Sequence, residues 1–328
     1  MKINVDEIVA EFGEHYVDGG QGMQNLQAKY MERSELVASF PLLPTNDTVV
    51  HKATVSISEV LQGFQSAFTP KVGSQVTFEL EEIPLHHVKI DELISPDDIM
   101  PSWLGFLASN KLSRDEWPIV RYVTEVLILG RYHDDLETKA AFTGVKGIIT
   151  PGTATTAIAS MDGVRKKIRD AFTAGKTNQI VLGTVPTDPV LFCTYVENFV
   201  EGIPALLREK ITEVSMSKAL ERRYRKGVRA KYNQNYDQKK NTATLIDDEQ
   251  IVVKGYTGFG SSTMMYATPQ DNKANPMKAP ENQGKFDVQK QDRSVKLLSD
   301  WWIGLGFWYY GYVFHNDQDL TDPPPVGG

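Results

Sequence analysis

The chain has 328 residues, 41% of them hydrophobic and 23% charged, and a formal net charge of −7. That length admits two domains, or one domain with large excursions, and the composition is that of a globular protein with a real core. The acidic balance argues against wholesale nucleic-acid binding, and the lone Cys193 excludes an internal disulfide or a thiolate metal cluster and fits a reducing compartment.

The start, MKINVDEIVAEFGEHY, is acidic and lacks an apolar run, so no export signal is expected. The first 48 residues read as a lightly packed arm with patchy helical periodicity. Two alternating stretches follow, Thr48–Val60 and Ser74–Ile90, joined by LQGFQSAFTPKVG. They predict a long β-hairpin whose arms of about twelve residues would reach roughly 40 Å. Such a ribbon is not stable alone and must lie on something, and Pro84 marks an edge or a bulge in it.

Ser113-Arg114-Asp115-Glu116 has the form of a capping box. It predicts a helix starting there, or at Trp117 with Pro118 as its first residue. Val120, Val123 and Leu127 mark one apolar face of this helix, and Tyr122, Val126 and Leu129 another, so it should be sandwiched. Beyond Gly147–Ser160 the pattern is α/β: helix Met161–Ala174, strand Gln179–Val185, and a helix from Asp188-Pro189 to about Glu201. Strand Thr212–Ser217, basic helix Lys218–Tyr232 and strands Gln250–Tyr256 and Thr263–Ala267 come next. TPQDNKANPMKAPENQG reads as a loop, and Lys285–Gln291 and Arg293–Ser299 as strands.

Those strands lead into WWIGLGFWYYGYVF, Trp301–Phe314, an uncharged aromatic run. A spanning helix needs about 20 apolar residues, and Asp300 and His315 bracket this run short of that, so no membrane span is expected. Its three glycines and its aromatics favour strand over helix. With period two, Trp301, Ile303, Leu305 and Phe307 share one face, and Trp302, Trp308 and Tyr310 share the other. Both faces are apolar, which predicts one strand, or two joined near Gly304–Gly306, covered on both sides; Trp301, Trp302, Phe307 and Trp308 are expected core aromatics.

Catalysis finds no candidate. Gly175-Lys176-Thr177 lacks the first glycine of a phosphate loop, and Gly258-Phe259-Gly260-Ser261 lacks the third glycine of a dinucleotide loop. His133-Asp134-Asp135 has no second histidine pair at ligand spacing. His86 and His87 fall on opposite faces of a strand, unsuited to joint chelation. Catalytic, cofactor-binding and metal residues are all expected to be absent. The basic helix stands out: Arg222, Arg223, Arg225, Lys226 and Arg229, with Lys218 and Lys231, face Glu221 alone among acids. With Tyr224, Tyr232 and Tyr236 interleaved, it could contact nucleic acid or an acidic neighbouring subunit.

The order of parts, with the closing stretch GKFDVQKQDRSVKLLSDWWIGLGFWYYGYVFHND, resembles the major capsid proteins of tailed bacteriophages, the Hong Kong 97 fold. The resemblance covers nearly the whole chain. It implies an α+β fold with an N-terminal arm (1–48), an extended hairpin loop (49–92), a peripheral domain with a spine helix (93–150 and 285–328) and an axial domain (151–284). It implies a structural coat subunit, not an enzyme, forming hexamers and pentamers of an icosahedral virion shell around double-stranded DNA, made in the bacterial host cytoplasm. Scaffold, portal and decoration or minor capsid proteins would be its partners. The extended loop would touch a neighbour through Phe64, Phe68, Lys71 and Phe78. An encapsulin-type compartment shares the fold and is an alternative; a tail-tube protein fits the spine helix less well. From another class, a carbohydrate-binding or hydrolytic protein would expose Trp302, Trp308 and Tyr310 as a stacking platform.

Overall fold

The structure is a computed structural model that describes residues 5–12, 29, 34–57, 61–69, 76–232, 250–278 and 286–321. The start of the chain is better packed than its composition suggests. Helix α1 (Val5–Phe12) buries Val5, Ile8 and Phe12, and α2 (Glu35–Ala38) buries Leu36 and Val37. Strand β1 (Leu42–Thr45) follows. The expectation of a loose arm is thus corrected for its described parts, because each short helix carries an apolar face that a core receives.

The hairpin is formed by β2 (Val49–Ile57) and β3 (Val76–Pro84), antiparallel from Val49↔Pro84 to Ile57↔Val76. Pro84 ends it. After Leu85 the chain enters β4 (His86–Ile94), which pairs with a different strand, so one apparent long arm is two strands in two sheets. Helix α3 (Pro96–Asn110) comes next, with Pro96 in its first turn and Lys111 closing it at φ 55°. Ser95-Pro96-Asp97-Asp98 is its start signal, a proline and two acids where the helix dipole wants them.

The spine helix α4 runs unbroken through four segments: α Ile119–Arg121, π Tyr122–Ile128, α Leu129–Asp135 and π Leu136–Ala140. The capping box closes reciprocally, with the Ser113 N–H donating to Glu116 Oε2 at 3.0 Å and the Glu116 N–H to Ser113 Oγ at 3.2 Å. It caps only a turn; Pro118 then precedes the helix at ψ 155° rather than starting it. Val120, Tyr122, Val123 and Leu129 are buried, whereas Val126 and Leu127 are 37% and 39% exposed. The helix is therefore sandwiched at its two ends and bare in the middle, where the wider i→i+5 turns rotate the apolar stripe.

Helix α5 (Val164–Thr173), strand β5 (Asn178–Ile180), helices α6 (Pro189–Glu201) and α7 (Ala205–Arg208), strand β6 (Glu213–Ser217), helix α8 (Lys218–Tyr232), and strands β7 (Val252–Tyr256) and β8 (Tyr266–Ala267) follow. Asp188 caps α6, accepting from the N–H groups of Val190 and Leu191 at 2.9 and 3.0 Å. Helix α8 crosses α6 so closely that a Cβ on Gly227 would stand 2.0 Å from the Pro189 carbonyl oxygen. Strand β9 (Lys273–Lys278) lies in the stretch that composition predicts as loop. Then come β10 (Phe286–Gln291), β11 (Ser294–Ile303), β12 (Gly306–Phe307) and β13 (Phe314–Asn316).

Two sheets organise the body. In the first, β11 is antiparallel to both β10 and β4 and meets β9 at Ile303↔Met277, while β9 also holds β1 in parallel and β12 antiparallel. In the second, the order is β5-β13-β8-β6-β7. The division by sequence is corrected at two strands: β9 joins the first sheet and β13 the second, so the chain crosses between them more often than contiguous domains would. One core lies between α6, α8 and the second sheet, another between α1, α3 and the start of α4, and a third joins the two sheets.

Candidate functional site

The chain offers surfaces rather than a cleft. Among the described residues the hairpin pairs with no other strand, and nine residues per arm give it a reach of about 30 Å. Its tip is bare and apolar: Leu61, Phe64 and Phe68 are 88%, 99% and 95% exposed. Lys71 and the side chain of Phe78 lie outside the described residues. Beneath the bare middle of the spine helix, a groove of about 570 Å³ opens towards β4 and β11. Val88, Ile90, Leu93, Leu127 and Trp301 line it, and Arg131 and Asp135 also face it, paired at 3.2 Å.

Among the described residues, the hairpin is fastened at its base. Buried Glu81 accepts from Lys176 Nζ at 2.8 Å, and Lys52 Nζ lies 5.0 Å from the Trp308 ring centroid. His86, the last residue of the elbow, is 3% exposed, with Nε2 3.6 Å from Asp162 Oδ2 and neither ring nitrogen hydrogen-bonded among the described residues. Burial pushes its imidazole down to about 4; Asp162 pulls the other way, and Lys167 and Lys146 add to the depression. His87 points to the opposite face, stacked on Trp302 at 4.6 Å and bonded to Asp300 at 2.7 Å.

A second cluster ties the two sheets together. Lys273 of β9, 2% exposed, donates to Glu213 Oε1 of β6 at 3.2 Å; the same oxygen accepts from Ser215 Oγ at 2.6 Å and Tyr256 OH at 2.7 Å. Burial opposes the Glu213 charge, yet Lys273, those hydroxyls and Lys254 outweigh it and hold the carboxyl below its usual range. Lys273 is in turn lowered by burial, with Glu213 resisting. Sequence reasoning missed both residues, since Lys273 sits in a polar run that reads as loop.

The aromatic run breaks into parts of both sheets. Trp301 and Phe307 are buried, Trp301 edge-on to Tyr132 at 5.1 Å and Phe307 among Phe40, Tyr266 and Tyr310. Trp302 and Trp308 are only half-buried, which corrects the expectation of two covered faces: they lie on the outward side, one under His87 and the other under Lys52. Tyr310 starts a 3-10 turn and is buried, so the three rings do not form one platform.

On α8, Arg222, Lys226 and Arg229 share the exposed face. Arg223 donates to the Pro186 carbonyl at 2.7 Å and Arg225 pairs with Glu221, so neither is available to a ligand as it stands. Tyr224 is buried and Tyr232 OH bonds to Glu197 at 2.5 Å; Tyr236 lies outside the described residues. The aromatic half of a nucleic-acid contact is therefore turned inward at both described tyrosines, a correction to the interleaved reading.

Gly175 ends α5 at φ 70° and Lys176 is paired with Glu81. Gly258 lies in a 3-10 turn, its N–H donating to Glu137 Oε1 at 3.2 Å. Among the described residues no group of three His, Cys, Asp or Glu is placed to hold a metal ion, and no helix is long and apolar enough to cross a membrane.

No protein-family model and no curated protein sequence matches the chain. Solved structures do. A chain of the satellite phage P4 procapsid including the size determination (Sid) protein is similar over 90% of both chains, at 14% identity and a TM-score of 0.54. The capsid of Myoviridae phage XM1 matches over 84% of this chain and 88% of that one, at 13% identity and 0.48. The capsid of the empty GTA particle matches over 88% and 97%, at 11% and 0.47. The argument rests on the first of these, and with it the chain has an α+β phage-capsid fold.

Proposed function

We propose that the chain is a structural coat subunit that assembles with copies of itself into a closed shell. The observation that carries this reading is the hairpin: a ribbon about 30 Å long with a bare apolar tip at Leu61, Phe64 and Phe68, fastened among the described residues at its base. Burying one such phenylalanine contributes roughly 2–3 kcal/mol, so contacts repeated around a ring offset the cost of association. The groove under the spine helix, walled by Leu93 and Leu127, is the apolar concavity that suits a neighbour's tip. A contact between two different patches closes into rings when its rotation allows.

In this reading residues 1–48 are the arm, the hairpin within 49–92 is the loop laid across a neighbour, 93–150 and 285–328 make most of the peripheral part together with β4 and β9, and 151–284 make most of the axial part together with β13. The shell is icosahedral, built of hexamers and pentamers around double-stranded DNA in the virion, with scaffold, portal and decoration proteins as partners. The Arg222–Lys226–Arg229 face meets either that DNA or an acidic neighbour. Negative-stain microscopy with sedimentation tests the core of it, on the chain expressed alone and with a scaffold. Shells or six-membered rings that vanish in a Phe64→Asp/Phe68→Asp variant are the expected result; particles unaffected by that variant, or a monomer under every condition, defeat the reading.

A further inference from the structure

We propose that the Pro84–Leu85–His86 elbow is a proton-operated latch, which holds the hairpin base against the body while the His86 imidazole is neutral and releases it when the imidazole takes up a proton. The inference rests on the elbow's geometry and not on what the hairpin docks onto. A single residue, Leu85, separates β3 from β4. His86 is the terminal pair of the β4–β11 ladder, opposite Ile303, so it can leave its seat without breaking pairs on both sides.

The seat suits only an uncharged ring. The side chain is buried, and neither nitrogen has a hydrogen bond among the described residues. Asp162 and Lys146 face it from the connection between α4 and α5, and Lys167 from α5. Tyr310, on the C-terminal segment, feels Asp162 and Glu81 and is held protonated chiefly by burial. The one carboxylate is already engaged, Asp162 Oδ1 accepting the Lys146 N–H at 2.9 Å, and its other oxygen stands 3.6 Å from the ring. An imidazolium here meets two cations and one half-satisfied acid, and its remedy is to move outward with the chain that carries it. Among the described residues, the Glu81–Lys176 pair also ties the hairpin base to the turn after α5.

Hydrogen exchange on the full chain, corrected for the intrinsic rate at each pH, tests this. Between pH 6 and about 4, amides of 81–90 should lose protection about tenfold while β6 keeps its own. A His86→Phe variant should hold the elbow closed across that range. The same acid response in His86→Phe, or simultaneous loss in β6, overturns the proposal. Should that variant fail to fold, the wild-type ring resonances decide: titration of His86 near 4 together with elbow opening supports the latch. Titration near the ordinary histidine value, or without opening, overturns it.

Discussion

Two joints in this molecule bury ionisable groups, and they do so in opposite ways. Where β9 meets β6, Lys273 reaches Glu213, and that carboxylate also accepts from Ser215 and Tyr256. At the elbow between β3 and β4, His86 is equally buried, but among the described residues its nitrogens have no hydrogen-bond partner and its carboxylate neighbour stands 3.6 Å away. A buried polar group fully met by partners fixes one geometry; one left unmet stores a reason to move. The first joint holds the two sheets in register, and the second aims a hairpin.

Removing one partner of the first joint should do the most damage. Lys273→Ala leaves Glu213 charged and deprived of its buried cation, with only the more exposed Lys254 at 3.8 Å beside it among the described residues, and urea unfolding should show a loss of about 3–5 kcal/mol. A Lys273→Met/Glu213→Gln double variant should recover more than half of it. Acid separates the joints next. Because the folded His86 lies near 4 against an ordinary 6.5, the unfolded chain takes up the proton first, and stability is lost as pH falls from 6.5 towards 4. The loss is at most about 3 kcal/mol by linkage. Glu213 is depressed, so its contribution is present above the ordinary carboxylate value and fades only below it. Wild-type unfolding profiles should thus slope through this window, and those of His86→Phe should be flatter. A Cβ on Gly304 would come within 2.9 Å of the Pro84 carbonyl, so Gly304→Ala should cost about 1–3 kcal/mol and raise exchange at the elbow. Lys176→Ala, losing a half-exposed cation, should cost about 1 kcal/mol in the same unfolding assay.

Much of the architecture was legible because it follows from local rules. The proline after Asp188, the alternation from Val49 to Ile57 and the amphipathic run from Lys218 to Tyr232 each carry their own signal, and each element formed there. What was illegible depends on partners far along the chain. Strand β9 reads as loop because Lys273 and Asn272 are polar; it is a strand because Glu213, Thr268 and Tyr309 satisfy them. Helix α3 carries its start signal in Ser95-Pro96, a weaker pattern than the capping box at Ser113–Glu116, which closes only a turn. Of the surfaces, the place of Phe64 and Phe68 between two strands follows from the alternation on either side, whereas the elbow does not: His86 acquires its meaning from Asp162, Lys146 and Lys167, none of which sequence spacing brings near it.

The placement of β13 has a consequence in time. This last described strand inserts between β5 and β8, near the end of the chain yet inside the second sheet. Until residues 314–316 have emerged, β5 lacks its ladder and β8 has one side open. Pairings this far apart in sequence close slowly. A chain cut before residue 314 is therefore left with an unfinished second sheet, the edges of β5 and β8 unpaired where β13 would lie.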